Sequence, residues 1–257
     1  MKDRVTPLEG VYNFRRFHGY EGREGANVRD GLYRSGHFSR SSDADRAFFE
    51  DLNIAVVADL RRPRERALEP SNWPEHFGLR VIESDDDDHH EPPHMQFLRK
   101  GDLSPEAVHN YMLSAYRRIP TETGNQIVFR EGFKALASGE ADTGFLVHCA
   151  AGKDRTGIFC ALVLSELGVD EDTIFEDYLL TNTAVDFDHL VPLVMERMAG
   201  QTASPMSETA IRTFLGVHAD LLTEAFETIG PRDAYLRDVL GITDEERDAL
   251  RRRWLVG

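Results

Sequence analysis

The stretch "GFLVHCAAGKDRTGIFCALVLSELG", residues 144–168, decides the fold. It opens on a short apolar run, "GFLVHC", which reads as a buried strand. It closes on "RTGIFCALVLSELG" (Arg155–Gly168), apolar almost all round from Ile158 to Leu164. That pattern predicts a buried central helix ending at Gly168. Between the two lie Cys149, Ala150, Ala151, Gly152, Lys153 and Asp154. Ligands bind where the strands of an open α/β sheet end. The N–H groups of a tight loop can converge on an anion, and a helix N-terminus adds donors and a partial positive charge. Gly152 suits such a turn because a residue without Cβ takes the φ values it needs.

Outward from this stretch, strands and helices alternate. "NIAVVADL" (Asn53–Leu60) and "GLRVIES" (Gly78–Ser84) read as strands, and "NVRDGLYRSG" (Asn27–Gly36) holds one or two more. "SDADRAFFEDL" (Ser42–Leu52) opens on a good N-cap residue, and "GNQIVFREGFKALAS" (Gly124–Ser138) has near-helical apolar spacing. A further helix is expected over Asp172–Leu180. The C-terminal third reads as wholly helical, broken at Gly230–Pro231, with "TDEE" (Thr243–Glu246) as a capping box. The expectation is one α/β domain over residues 1–257, with a mostly parallel central sheet flanked by helices. Two segments fit that plan less well: Asp85–Asp102, followed by a helix after "SPEA", and Thr183–Glu208. They make residues 89–120 and 184–208 candidates for a helical lid.

The 257 residues are 41% hydrophobic, enough for a substantial core. No run approaches the roughly 20 apolar residues of a membrane span, so no membrane insertion is expected. The N-terminal "MKDRVTPLEG" carries no secretory h-region. A cytoplasmic protein is the default, with export by another route left open. The net charge of −15 disfavours nucleic acid and anionic lipid as unspecific partners. Any anionic ligand must therefore meet a local cluster of cations. The two cysteines, Cys149 and Cys160, make no disulfide framework. Cys160, mid-helix, reads as core.

A cysteine at the floor of an anion cradle favours its thiolate, since a helix N-terminus and nearby cations lower a thiol from about 8.5 to roughly 3.5–7.5. Such a thiolate is a nucleophile aimed at phosphorus. Arg155 can grip two phosphoryl oxygens with its fork. The Thr156 hydroxyl can donate to the sulfur and make it a better leaving group. The implied reaction has two steps: Cys149 takes a phosphoryl group, then water releases it. Arg155 and the loop amides stabilise the transferring charge, and an acid protonates the leaving oxygen. The bland alternative is a core cysteine at a strand end, and Cys-x5-Arg alone would not outweigh it. The whole combination of strand, His-Cys, Gly, Lys-Asp-Arg-Thr-Gly and apolar helix does.

Those residues resemble the cysteine-based tyrosine phosphatases, and more narrowly a bacterial branch whose loop reads His-Cys-x-x-Gly-Lys-Asp-Arg-Thr-Gly and which includes lipid phosphatases. "NFRRFHGY" (Asn13–Tyr20), "GLYRSGHFSRSSDADRAFFEDLNIAVVADLR" (Gly31–Arg61), "YMLSAYRRIPTETGNQ" and "AYLRDVLGI" extend the likeness over most of the chain. At "RRFHGY" the sequence departs from the Asp-Leu-Gly-Gly of many relatives, which bears on local loop structure. The resemblance implies a cysteine-phosphatase fold with a helical lid and no cofactor or metal. It also implies phosphotyrosine proteins as substrates and phosphate as product or inhibitor. The alternative it carries is a phosphoinositide or small phosphorylated metabolite, handled by the same mechanism. A phosphate-binding module without turnover is a third reading, disfavoured by the intact Cys, Arg and Thr.

Several residues keep two readings. The resemblance suggests that Lys153 binds a second substrate phosphate; otherwise it only adds positive potential. Asp154 is either the general acid or a structural ion pair, since flanking cations lower a carboxylate's pKa and an acid needs the opposite. The resemblance places the branch's acid loop near Asp85–Asp88, where Asp88 is the other candidate acid. The plain reading of that run is a solvated charged loop. His89, His90 and His94 nearby match no metal-ligand spacing. Asp59 and Arg61 read as a structural ion pair at the strand end. Met95, Phe97, Leu98 and Met112 suit either the apolar face of a lid or an ordinary packed helix.

Overall fold

The computed structural model describes residues 2–73, 77–86, 93–100, 102–198 and 205–257. Among the described residues seven strands are present: β1 (Arg15–Arg16), β2 (Asn27–Val28), β3 (Leu32–Ser35), β4 (Val56–Asp59), β5 (Arg80–Ile82), β6 (Phe145–His148) and β7 (Leu255–Val256). The principal sheet runs β1-β3-β6-β4-β5. Its β3, β6, β4 and β5 pair in parallel, and β1 joins β3 antiparallel. The strand expected at residues 144–149 is thus the central one. Every residue of β4 and β6 is buried, as expected of parallel strands covered on both faces.

The two faces divide by the period of two. Val56, Ala58, Phe145 and Val147 enter the larger core, while Val57 and Leu146 enter a second one with Phe14, Phe38 and Phe49. Helix α1 (Asp43–Asp51) covers this second face and starts with the expected cap: Ser42 Oγ accepts from Asp45 N at 3.1 Å, and Asp45 Oδ2 accepts from Ser42 N at 3.1 Å. Next come α2 (Pro63–Leu68), α3 (Pro93–Lys100), α4 (Pro105–Arg118), α5 (Thr123–Ser138), α6 (Asp154–Glu166) and α7 (Glu171–Leu179). The rest are α8 (Thr181–Ala184), α9 (Phe187–Met198), α10 (Glu208–Leu215), α11 (Ala219–Ile229), α12 (Arg232–Ala234) and α13 (Asp244–Trp254). Helix α6 is the predicted central helix. Ile158 through Leu164 are each 2% exposed or less, because the sheet and neighbouring helices enclose it.

The C-terminal third departs from its expectation of helix alone. After α13, capped by Thr243 and Glu246 as predicted, the chain forms β7 and pairs antiparallel with β2. The Trp254 indole donates to Leu136 O at 3.0 Å and fixes α13 on α5.

The two candidate lid segments meet in one satellite cluster. Leu98, Val108, Val191, Ala210 and Ile211 pack together there, joining α3, α4, α9 and α10. Leu98 therefore faces that helical layer, whereas Met112 enters the main core. Phe97 stacks on Tyr111 with centroids 4.3 Å apart.

Candidate active site

Cys149 follows β6 directly, at the carboxyl end of the central strand, and is 2% exposed. The register sets Ser35 and Asp59 on either side of His148, so the loop over 149–153 emerges between the ends of β3 and β4. Its carbonyls are held from outside. The Ala150 carbonyl accepts from His37 N at 3.2 Å. Asn13 Nδ2 donates to Ala151 O at 3.4 Å and to Gly152 O at 2.8 Å, and Arg34 Nη2 donates to Gly152 O at 3.1 Å. With the carbonyls turned to these donors, the loop N–H groups remain for an anion.

Gly152 is required here. Its φ is +68°, and a Cβ would lie 2.3 Å from both C and O of Ser35 and 2.5 Å from N of Gly36. Gly157 has a packing reason instead, since a Cβ would sit 2.9 Å from the Tyr178 ring.

Arg155 lies in the first turn of α6. Its Nη1 donates to Glu65 Oε2 at 2.6 Å and to Leu60 O at 2.8 Å, and its Nη2 donates to Glu65 Oε1 at 2.8 Å. A bidentate clasp of this kind fixes the plane of the guanidinium. Burial alone would raise the Glu65 carboxyl, but Arg155 outweighs it and holds the group at about 2. The sequence reading missed Glu65. The available signal was its place three residues after Arg62, whose N–H it accepts at 2.8 Å, a position that reads as helix capping.

His148, fully buried, is pushed down to about 4 by loss of water, despite Asp59 at 3.6 Å. It is neutral at pH 7, and its Nδ1 lies 3.4 Å from Cys149 O. Asp59 and Arg61 form a buried pair at 2.6 Å. Arg61 also donates to Glu69 O and Ser71 Oγ, which gives it a structural place.

Asp154 opens α6. Its Oδ1 accepts from Tyr116 Oη at 2.7 Å, and Tyr116 Oη lies 2.6 Å from Tyr178 Oη. Burial, then the Asp154 charge, raises both phenols well above their ordinary value, so both remain O–H donors. Tyr116 also escaped the sequence reading, because its distance in sequence from Asp154 hides the contact.

Lys153 reaches the end of α10. It is 6% exposed, and its Nζ donates to Phe214 O at 2.6 Å and Gly216 O at 3.2 Å, with Asp154 Oδ1 at 3.4 Å. Its charge meets the C-terminal carbonyls of α10, where a cation is favoured. The Thr156 hydroxyl is fully buried and has no hydrogen-bond partner among the described residues, so the bond expected to the Cys149 sulfur is not formed here. Cys160 is core, and burial pushes its thiol up to about 12. Both cysteines are free.

In the acidic run, the Asp85 carboxylate pairs with Arg66 at 3.1 Å, and Asp86 N donates to Ser84 Oγ at 3.1 Å. Asp88, His89 and His90 lie outside the described residues, as does the side chain of His94. Among the described residues no helix is long and apolar enough to cross a membrane.

The geometry gathers a buried cysteine, a glycine-dependent loop and a clasped arginine at one strand end, and comparison with known sequences agrees with it. The chain is 33% identical to the triple specificity protein phosphatase PtpB of Mycobacterium tuberculosis over 264 residues, covering 91% of this chain and 93% of that one. A Cupriavidus necator sequence assigned as a tyrosine-protein phosphatase is 31% identical over 91% of this chain and 84% of its own. A tyrosine-protein phosphatase of Nostoc commune is 25% identical over 87% and 74% respectively. The sequence model of the tyrosine phosphatase family matches residues 6–256, and the chain therefore belongs to that family of phosphoric ester hydrolases.

Proposed function

We propose that this phosphatase hydrolyses phosphotyrosine and related phosphomonoesters through a phosphocysteine intermediate, with Cys149 as nucleophile. The thiolate attacks phosphorus, a S–P bond forms, and the ester P–O bond breaks as the leaving oxygen takes a proton. Water then attacks the phosphocysteine, the S–P bond breaks, and inorganic phosphate leaves. The N–H groups of Ala150 to Lys153 and the Arg155 guanidinium bear the charge on the transferring group.

The observation that carries this reading is the Glu65 clasp on Arg155, which presets the fork beside a loop whose carbonyls are turned away. Asp154 and Asp88 remain the two candidates for the acid. Tyr116 donates to Asp154 Oδ1 and fixes the orientation of that carboxyl at the start of α6. Lys153 remains a candidate to meet a second substrate phosphate, or else only adds positive potential to the site. The designation of the mycobacterial relative supports breadth among monoesters. The layer of α3, α4, α9 and α10 is the candidate cover, within one phosphatase domain. Two free cysteines suit a reducing compartment.

The test is hydrolysis of an aryl phosphate by wild type and by Cys149→Ser. Wild type turns over, and the serine variant binds phosphate without hydrolysis. Turnover by Cys149→Ser at the wild-type rate refutes the covalent route, and an inactive wild type refutes the reading as a whole.

A further inference from the structure

Behind the loop lies a polar cluster that the chemistry above does not use. Asn13, Arg15, Arg34, Asp177 and Thr181 are each 2% exposed or less. Arg34 Nη1 donates to Asp177 Oδ2 at 2.8 Å, while Arg15 donates to Asn13 Oδ1, to Asp177 O at 3.1 Å and to Thr181 Oγ1 at 3.2 Å. Tyr20 Oη donates to the other Asp177 oxygen at 3.0 Å. Two features of this cluster bear on the loop.

The first is geometric. Gly152 O accepts from both Asn13 and Arg34, which occupies both of its lone-pair directions. Rotating the peptide between Gly152 and Lys153 changes ψ of Gly152, where glycine meets little steric resistance, and φ of Lys153. Rotation would aim a carbonyl dipole at the anion. It would also strip two hydrogen bonds from buried donors, which is costly. The second is electrostatic. Two guanidiniums stand against one carboxylate, and among the described residues the Nε of each has no hydrogen-bond partner. A buried positive excess lowers the energy of any negative charge placed beside it.

We propose that Asn13 and Arg34 are positioning residues of the phosphatase site. They lock the Gly152 carbonyl out of the loop, and the arginine pair behind it favours an anion bound in the loop. This rests on the phosphocysteine reading and adds residues that touch neither substrate nor sulfur. The neighbouring backbone supports the assignment to Asn13. It sits at φ +58°, a value uncommon outside glycine, at the point where its side chain reaches the loop.

The test uses Asn13→Gly, which keeps the positive φ and loses only the side chain, with Arg34→Gln as a second variant that removes charge but keeps a donor. Two measurements are made on folded protein: inhibition by inorganic phosphate, and kcat and KM on an aryl phosphate. The expected result for Asn13→Gly is about tenfold weaker phosphate binding, the scale of its lost hydrogen bonds to the loop carbonyls, with kcat falling as well. Arg34→Gln weakens phosphate binding further. If wild type hydrolyses the ester while both variants keep its phosphate affinity and its kcat, the positioning role is overturned and the phosphatase reading stands. If wild type fails to hydrolyse the ester, the reading beneath it falls instead.

Discussion

Replacing Glu65 by glutamine keeps the shape of the clasp on Arg155 and removes its charge. The wild-type carboxyl is held at about 2 against an ordinary 4.5. By linkage that difference corresponds to about 3 kcal/mol of stability at neutral pH, reduced to about 2 because the side chain retains some solvent contact. The folded-state value is the lower one, so the stabilisation is complete above the unfolded value and is lost as pH falls from 4.5 towards 2. Urea unfolding of wild type and Glu65→Gln, run in parallel from pH 7 to pH 3, should show a gap of about 2–3 kcal/mol at neutral pH that shrinks to under half by about pH 3. A freed guanidinium also loses its preset plane, and kcat/KM on an aryl phosphate should fall by about 10–100-fold, as misplacing a positioning group does. A stability gap that is absent at pH 7, or that does not change with pH, would show that the clasp is not the ion pair described.

Two further substitutions probe the loop and its neighbour. Gly152→Ala forces a Cβ to 2.3 Å from the Ser35 backbone at φ +68°; thermal melts should show a loss of about 3 kcal/mol or more, and a melt matching wild type would disprove the packing. Lys153→Met removes the cation from the Phe214 and Gly216 carbonyls; amide exchange in α10 should quicken, and an unchanged exchange rate would show that this contact does not hold the helix end. A large rise in KM for an aryl ester would favour the substrate role of Lys153.

Much of this architecture could be read from the chain because its signals are local. The run 144–168 carries its own periodicity, and Ser42 and Thr243 announce their helices through residues three positions on. Strand order could not be read, since it depends on which buried edges meet, and β6 comes to lie between β3 and β4. The two-residue β7 escaped because it is held by pairing with β2 rather than by a pattern of its own. At the site, Cys149, Gly152 and Arg155 could be named because they share one loop. Glu65, Tyr116, Asn13 and Arg34 could not, because each reaches the loop across the fold. Lys153 keeps both of its readings: the resemblance suggests a ligand for a second phosphate, and in the fold its ammonium meets carbonyls at the end of a helix far along the chain.

The lock on Gly152 spans the chain: its two clasps come from residues 13 and 34, and the carboxylate that anchors Arg34 belongs to residue 177. During synthesis Cys149 leaves the ribosome before that anchor has been made. A nascent chain therefore cannot complete the support of this loop, which comes into being only with the finished tertiary structure.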